Sequence, residues 1–281
     1  MTHRSLLLAA AGLLLAACSG PAPPDPVQIL FPCAWPTSPG FAPTADIDRQ
    51  GIVEPSGLCY HPLRRTIFVV SDQGKIHEIR TDGTPVGEAE VPGDLEGVTV
   101  DPSTGLVYAV IEGADVILEY DPARGEIRRR FPVERSFGGD PEFLRISKPY
   151  DNGLESLVFV PSPAHAEGGT FIAGNQEDPP CLVELEVPLR TSGPGGGPAR
   201  IVRLLTSAVQ DPSGIYLDER TRLLNVVCDA PNMLLEVTLG GKIVRAFAFP
   251  GNDQEGVCRD PDGFLYIAQD SGGILKLRDL R

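Results

Sequence analysis

A five-residue pattern recurs five times along this chain, and each copy opens a β-rich run. The copies are Glu54-Pro-Ser-Gly-Leu, Asp94-Leu-Glu-Gly-Val, Gly153-Leu-Glu-Ser-Leu, Asp211-Pro-Ser-Gly-Ile and Asp253-Gln-Glu-Gly-Val. After the first copy come four short strand-like runs at 58–60, 66–70, 75–79 and 86–91, separated by His61-Pro-Leu-Arg and Thr81-Asp-Gly-Thr. The second copy repeats this at 97–100, 106–110, 116–120 and 126–133, with turns at Asp101-Pro-Ser-Thr-Gly and Asp121-Pro-Ala-Arg-Gly. Such residues favour tight reversals. Four strands in a unit of about 40 residues mark a β-propeller blade.

A third unit spans 154–207 with a Gly/Pro-rich insert at 191–199, a fourth spans 213–250, and a fifth runs from Glu255 to Ile274-Leu-Lys-Leu. Little of the chain has helical periodicity, so the expected fold is all-β, a single β-propeller of five four-stranded blades. A sixth blade is the alternative; it would have to come from 134–152, where Phe143-Leu-Arg-Ile has no second hairpin. The fifth unit lacks its own fourth strand. Pro26-Val-Gln-Ile-Leu-Phe-Pro resembles Ile243-Val-Arg-Ala-Phe and is expected to supply it, closing the ring.

The first two strands of a blade are antiparallel, so the start of one and the end of the other share a face. Strand starts carry Glu54, Asp94, Gly153, Asp211 and Asp253, then, two residues on, Ser56, Glu96, Glu155, Ser213 and Glu255. A spacing of two keeps a pair on one side of a strand. The ends of the second strands add Asp72, Glu112, Asn175, Asp229 and Asp270. These rings are expected to crowd one mouth of the channel. Asp is an ordinary turn former, and the rings can also be read as turn caps or as stabilisers of ring closure. Turn chemistry explains Glu96, Glu155 and Glu255 less well. Carboxylates this close repel and must take up protons or a cation. A hard, oxygen-preferring cation such as calcium would resolve the conflict. The expected metal ligands are Glu96, Glu155, Glu255, Asn175 and Asp270. The expected ligand-binding residues are Glu54, Asp72, Asp94, Glu112, Asp211, Asp229 and Asp253.

Long connections at 34–53 and 134–152 rise on the same face. They bring Trp35, Phe41, Phe137, Phe143 and Tyr150, either to stack on a ligand or to pack the loops down.

Residues 1–17 read as a secretory leader, with a basic start at Arg4 and an apolar run too short to span a membrane. Leu15-Ala-Ala-Cys18 resembles a bacterial lipobox, which implies lipid attachment at Cys18. Ser19 after it favours the outer membrane, facing the periplasm. Residues 18–26 form a proline-rich tether, and 27–281 the propeller domain. Acyl chains anchor a protein without spanning the bilayer. The formal net charge of −14 excludes nucleic acid and anionic lipid as partners held by bulk attraction. Beyond Cys18 the cysteines are Cys33, Cys59, Cys181, Cys228 and Cys258. An exported chain permits disulfides, though the odd number leaves one over and the connectivity stays open.

No GxSxG elbow, Walker loop or HExxH occurs, and His3, His61, His77 and His165 lack a triad context. Hydrolysis by a serine–histidine pair is not supported. The run Glu54-Pro-Ser-Gly-Leu, Phe68-Val-Val-Ser-Asp-Gln-Gly-Lys-Ile, Asp82-Gly-Thr and Asp94-Leu-Glu-Gly-Val-Thr-Val-Asp resembles the SdiA-regulated family of exported bacterial propellers, with similarity over 54–281. That resemblance implies a calcium or active site in the channel. A weaker likeness joins calcium-dependent lactonase-type propellers and phytase-associated esterase-like propellers. The expected function is a membrane-tethered propeller that binds a divalent cation and a small ligand, with calcium-dependent hydrolysis of an ester, lactone or phosphoester. The alternative is a non-catalytic envelope scaffold that recognises protein or glycan.

Overall fold

A computed structural model describes residues 43–146, 152–248, 251 and 253–278. Among these residues twenty strands form five four-stranded blades. Blade I holds β2 (Pro55–His61), β3 (Thr66–Ser71), β4 (Lys75–Ile79) and β5 (Pro85–Glu90). Blade II holds β6 (Leu95–Val100), β7 (Val107–Ile111), β8 (Val116–Asp121) and β9 (Glu126–Glu134). Blade III holds β10 (Leu154–Pro161), β11 (Gly169–Asn175), β12 (Cys181–Glu186) and β13 (Ala199–Thr206). Blade IV holds β14 (Gly214–Asp218), β15 (Leu223–Cys228), β16 (Met233–Thr238) and β17 (Ile243–Ala248). Blade V holds β18 (Gln254–Arg259), β19 (Phe264–Gln269) and β20 (Ile274–Arg278), completed by β1 (Pro43–Asp46).

The ring is therefore closed by an N-terminal strand, but not by the expected one. Residues 26–32 lie outside the described residues, and Pro43–Asp46 takes the place. Side-chain and backbone hydrogen bonds fix it there: Thr44 Oγ1 donates to the Lys276 carbonyl at 2.8 Å, and the Ile274 amide donates to Asp46 Oδ1 at 3.0 Å. No sixth blade forms among the described residues of 134–152, where Phe137 and Asp140 make an isolated bridge.

The core is distributed over the seams. Each of five apolar clusters draws on two neighbouring blades: Phe68 and Val70 with Leu95 and Leu118, for example, or Ile67 and Val69 with Tyr266 and Ala268 at the closing seam. Blades II and III also join at their outer edges, where β13 runs parallel to β9 at Ala199–Val133. Arg129 braces that seam. It meets fully buried Glu119 with two nitrogens and donates to the Leu189 carbonyl at 2.7 Å. Cys59, Cys181, Cys228 and Cys258 are all buried free thiols, so no disulfide forms among the described residues.

The glycine of the motif has a packing reason. A Cβ on Gly97 would sit 2.6 Å from the Ser156 carbonyl carbon, and one on Gly256 would sit 2.8 Å from the Leu58 nitrogen. Gly57 and Gly214 face equally close backbone at Glu96 and Glu255. At four of the five seams the inner strands thus touch main chain to main chain around the axis. Blade III carries Ser156 instead. Its hydroxyl donates to the Pro212 carbonyl at 2.7 Å and occupies the space left by Gly174, which stands where blade I has Val70.

Gly97→Ala is expected to destabilise the protein by about 1–3 kcal/mol through overpacking. Gly87→Ala, with no atom within 4 Å of its new Cβ, should change stability by less than about 0.5 kcal/mol. Urea denaturation of the two variants checks the difference.

Candidate functional site

Each inner strand begins on the same face, and in four of the five a local irregularity covers the third motif residue. The pairing of β2, β6, β10 and β18 with their second strands shifts between Pro55 and Gly57, Leu95 and Val98, Leu154 and Ser156, and Gln254 and Val257. A bulge re-aims the side chain it contains. Here it covers Ser56, Glu96, Glu155 and Glu255, so the bulge rather than simple alternation turns these residues toward the axis. Glu54, Asp211 and Asp253 adopt left-handed backbone with φ of 49°, 54° and 50°. Non-glycine residues rarely hold that conformation.

The carbonyl of the first motif residue anchors the end of the second strand. The amides of Asp72, Glu112, Gln176, Asp229 and Asp270 donate to the carbonyls of Glu54, Asp94, Gly153, Asp211 and Asp253 at 2.9–3.3 Å. This pairing corrects one expected position. Gln176, not Asn175, is the blade III counterpart of Asp72. Asn175 lies one residue earlier, and a shift of one turns a side chain to the other face of a strand. Its amide nitrogen instead ties down the next loop, donating to the carbonyls of Glu177 and, at 2.9 Å, Pro179. Counting from the Leu58–Val69 pair to its counterpart Leu157–Ala173 would have found Gln176.

Asp72, Asp94 and Glu96 form the tightest group. One oxygen from each lies within 4.8 Å of the others. Ser56 donates its hydroxyl to Asp72. Asp94 Oδ1 is buried without a hydrogen-bond partner. Of the five expected metal ligands, Glu96 alone belongs to this group, and Asp72 and Asp94 join it from the expected ligand-binding set. Glu155 and Glu255 share the cup. Burial pushes the carboxyls of Glu96, Glu155 and Glu255 well above the usual range, and repulsion adds to it: from Asp72 and Glu155 on Glu96, from Glu255 and Asp211 on Glu155, and from Asp229 and Asp211 on Glu255. Asp94 is pushed up to about 6, first by burial and then by Asp72. Asp72, Asp229 and Asp270 are raised for the same reasons. Glu112 is buried beside Glu155.

Turn capping accounts for acids on the opposite face. Asp101 Oδ1 accepts the Ser103 amide at 2.8 Å, and Asp218 Oδ1 accepts the Arg220 amide at 2.8 Å. On the cup side Asp211 makes one such bond, with the Ala230 amide at 2.9 Å. The rim aromatics pack downward: Phe137 and Phe143 meet edge to face at 5.5 Å and lie against the core. Trp35, Phe41 and Tyr150 lie outside the described residues. Buried His61 has its Nε2 3.0 Å from the Gly105 carbonyl, and His3 lies outside the described residues.

No curated protein matches the chain. Among solved structures, the fold is similar to the glutaminyl cyclase of Myxococcus xanthus, with 13% identity, 85% of this chain and 95% of that one covered, and a TM-score of 0.57. A functionally unknown protein from Desulfotomaculum acetoxidans matches with 13% identity, 77% and 63% coverage and a TM-score of 0.46. The Dos1 propeller matches with 12% identity, 76% and 53% coverage and a TM-score of 0.45. At such identities the likeness concerns the fold alone. Residues 50–216 match the phytase-like family described as "Esterase-like activity of phytase". That match spans more than half of the chain and covers blades I to III with the Asp72, Asp94 and Glu96 group; the protein belongs to this phytase-like family.

Proposed function

We propose that the protein is a calcium-dependent hydrolase of small esters, working at the acidic mouth of the propeller. The observation that carries this reading is Asp94 Oδ1, buried and unpartnered, in a group of three carboxylates within 4.8 Å. A buried acceptor without a partner is costly, and a cation would satisfy it. The donor set fits calcium, since it is all hard oxygen, with the Ser56 hydroxyl at its edge. Asp72, Asp94 and Glu96 hold the ion. When bound, it supplies positive potential that polarises an ester oxygen. Glu155 and Glu255 face the same cup with raised pKa values, suited to carrying a proton at neutral pH. One carboxyl donates its proton to the leaving oxygen, and the other accepts one from water. Asp229, Asp253 and Asp270 lie around this pair and, with Glu54 and Asp211, shape the electrostatics of the rim.

The wider setting rests on sequence. The leader at 1–17, the lipid on Cys18 and the tether to residue 26 lie outside the described residues. Leu15-Ala-Ala-Cys18 supports an anchor at the outer membrane facing the periplasm. Kinship with the SdiA-regulated propellers rests on the Asp94-Leu-Glu-Gly and Ser71-Asp72 units. A non-catalytic scaffold draws less support, because Phe137 and Phe143 are spent on packing their loop.

Calcium at about 100 times its Kd should stabilise the chelator-treated protein by about 2.7 kcal/mol, raising Tm by roughly 5–10 °C. Glu96→Gln should abolish that shift; an unchanged shift in differential scanning fluorimetry would sink the metal assignment. Glu155→Gln and Glu255→Gln should each lower kcat for a small ester by about 100-fold or more while keeping the calcium shift. Equal turnover by all three proteins would favour the scaffold.

The pH dependence follows from the raised carboxyls. A folded pKa above the unfolded one stabilises the fold below the unfolded value, and the contribution is lost as pH rises through the folded one. For Asp94 the window runs from 3.8 to about 6. Metal-free protein should therefore melt higher at pH 5 than at pH 7.5, and saturating calcium should narrow the gap. A melting temperature that rises with pH in chelator would contradict the crowding.

A further inference from the structure

The acidic cup has two unlike halves, both above the waist where Gly57, Gly97, Gly214 and Gly256 bring the inner strands together. Asp72, Asp94 and Glu96, the calcium group, stand on blades I and II. Asp211, Asp229 and Asp270 stand on blades IV and V and are the charges that press most on Glu255. The charges that press on Asp270 are Asp72, Glu54 and Asp253, all carboxylates too. A calcium ion brings two positive charges to the three acids that hold it, so it leaves the far half uncompensated. The described basic residues at the cup end of the blades answer to other acids. Lys75 pairs with Glu88 at 2.8 Å, Arg135 with Asp115 at 2.7 Å and Arg145 with Asp140 at 3.1 Å, and Arg49 acts on Asp82. A cleft lined by one sign of charge concentrates ligands of the other.

A second observation marks the far half. Gln254 is fully buried, and neither its Oε1 nor its Nε2 has a hydrogen-bond partner. Blades II and III carry Leu95 and Leu154 at the same motif position, packed into the apolar seams. An amide in such a place is costly unless something bonds it. Its main chain is already engaged: Ser213 donates to the Gln254 carbonyl at 3.0 Å, and the Gln254 backbone bonds the Asp229 carboxyl. Its side chain lies under Gly251, on the connection that enters β18 from the cup face. A Cβ there would sit 3.3 Å from Gln254 Nε2, so Gly251 covers the amide with main chain alone.

We propose that the half of the cup on blades IV and V receives a primary ammonium group, held by Asp229, Asp270 and the Gln254 carboxamide oxygen. The substrate is then a small ester that carries an amine. The choice of an ester rests on the hydrolase reading; the ammonium site does not. A second calcium ion fits less well. It takes about six to eight oxygens, and among the described residues no third carboxylate converges on Asp229 and Asp270 as Asp72, Asp94 and Glu96 converge on one another. An ammonium has three N–H donors, and two carboxylates with one carboxamide oxygen match them. Glu155 and Glu255 then lie between the ammonium and the calcium, where the ester bond of a short substrate would fall. An anionic phosphoester would meet repulsion on both sides.

The test is calorimetric titration of the full chain, loaded with calcium, with butylammonium and with 1-butanol as the uncharged control. Butylammonium should bind with one molecule per chain and about 10-fold or more tightly than butanol. Asp229→Asn and Asp270→Asn should each lose about 5-fold of that affinity, and Gln254→Leu about 3-fold. The leucine restores the residue type of blades II and III, so the seam stays packed. Equal affinity for amine and alcohol, affinity that ignores these three changes, or displacement of the amine by a second calcium ion would each overturn the assignment. Turnover supplies the second arm. Ethyl 3-aminopropanoate should exceed ethyl butanoate, its uncharged counterpart, by about 10-fold in kcat/KM, mostly through KM, with monoethyl succinate the poorest of the three. Equal turnover of all three would overturn the ammonium site and leave the hydrolase standing. Saturable butylammonium binding with no turnover of any ester would uphold the ammonium site and sink the hydrolase.

Discussion

Everything at the acidic mouth depends on the main-chain contact between inner strands. Gly57, Gly97, Gly214 and Gly256 remove the side chains that would hold the blades apart. The residue before each of them, or before Ser156 in blade III, is then drawn close to the axis. Seam packing stabilises the ring, and the same approach forces Glu96, Glu155 and Glu255 into mutual repulsion. Stability and electrostatic cost have one geometric origin. Widening the waist would relieve the acids only by separating the apolar seams.

The two mouths use similar residues differently. On the turn side, Asp101, Asp218 and Asp260 accept local amides and finish hairpins. On the other side, Asp72 and Asp94 face one another and Glu96, and one Asp94 oxygen is left without a partner. Residue type does not separate an acid that finishes a turn from one that crowds the cup; the partners do.

Much of the fold was legible because a blade repeats. Turn residues and strand lengths recur at a fixed period, and the sequence boundaries of blades I and II fall within three residues of the observed strands. The convergence of Glu96, Glu155 and Glu255 was legible for the same reason. Three things were not. The bulges at Ser56, Glu96, Glu155 and Glu255 depend on cross-strand register, which a linear pattern does not encode. Asn175 was taken for Gln176 because β11 is longer than its counterpart in blade I, so counting from the wrong end slips by one. The closing strand was sought in the apolar run at 26–32, whereas short, polar Pro43–Asp46 suffices because the β20 backbone supplies its bonds.

That closing strand also orders folding in time. Thr44 bonds to Lys276 across 232 residues of sequence. Strands within a blade are neighbours in the chain and pair as soon as they are made, but β1 has no partner until β20 exists. Contacts at such separation form late and slowly. During synthesis the growing chain is an open arc, and even a finished β20 leaves its outer edge unpaired, exposed to other chains until β1 returns to cover it. A nascent arc of this kind would rely on being kept from its neighbours for as long as translation lasts.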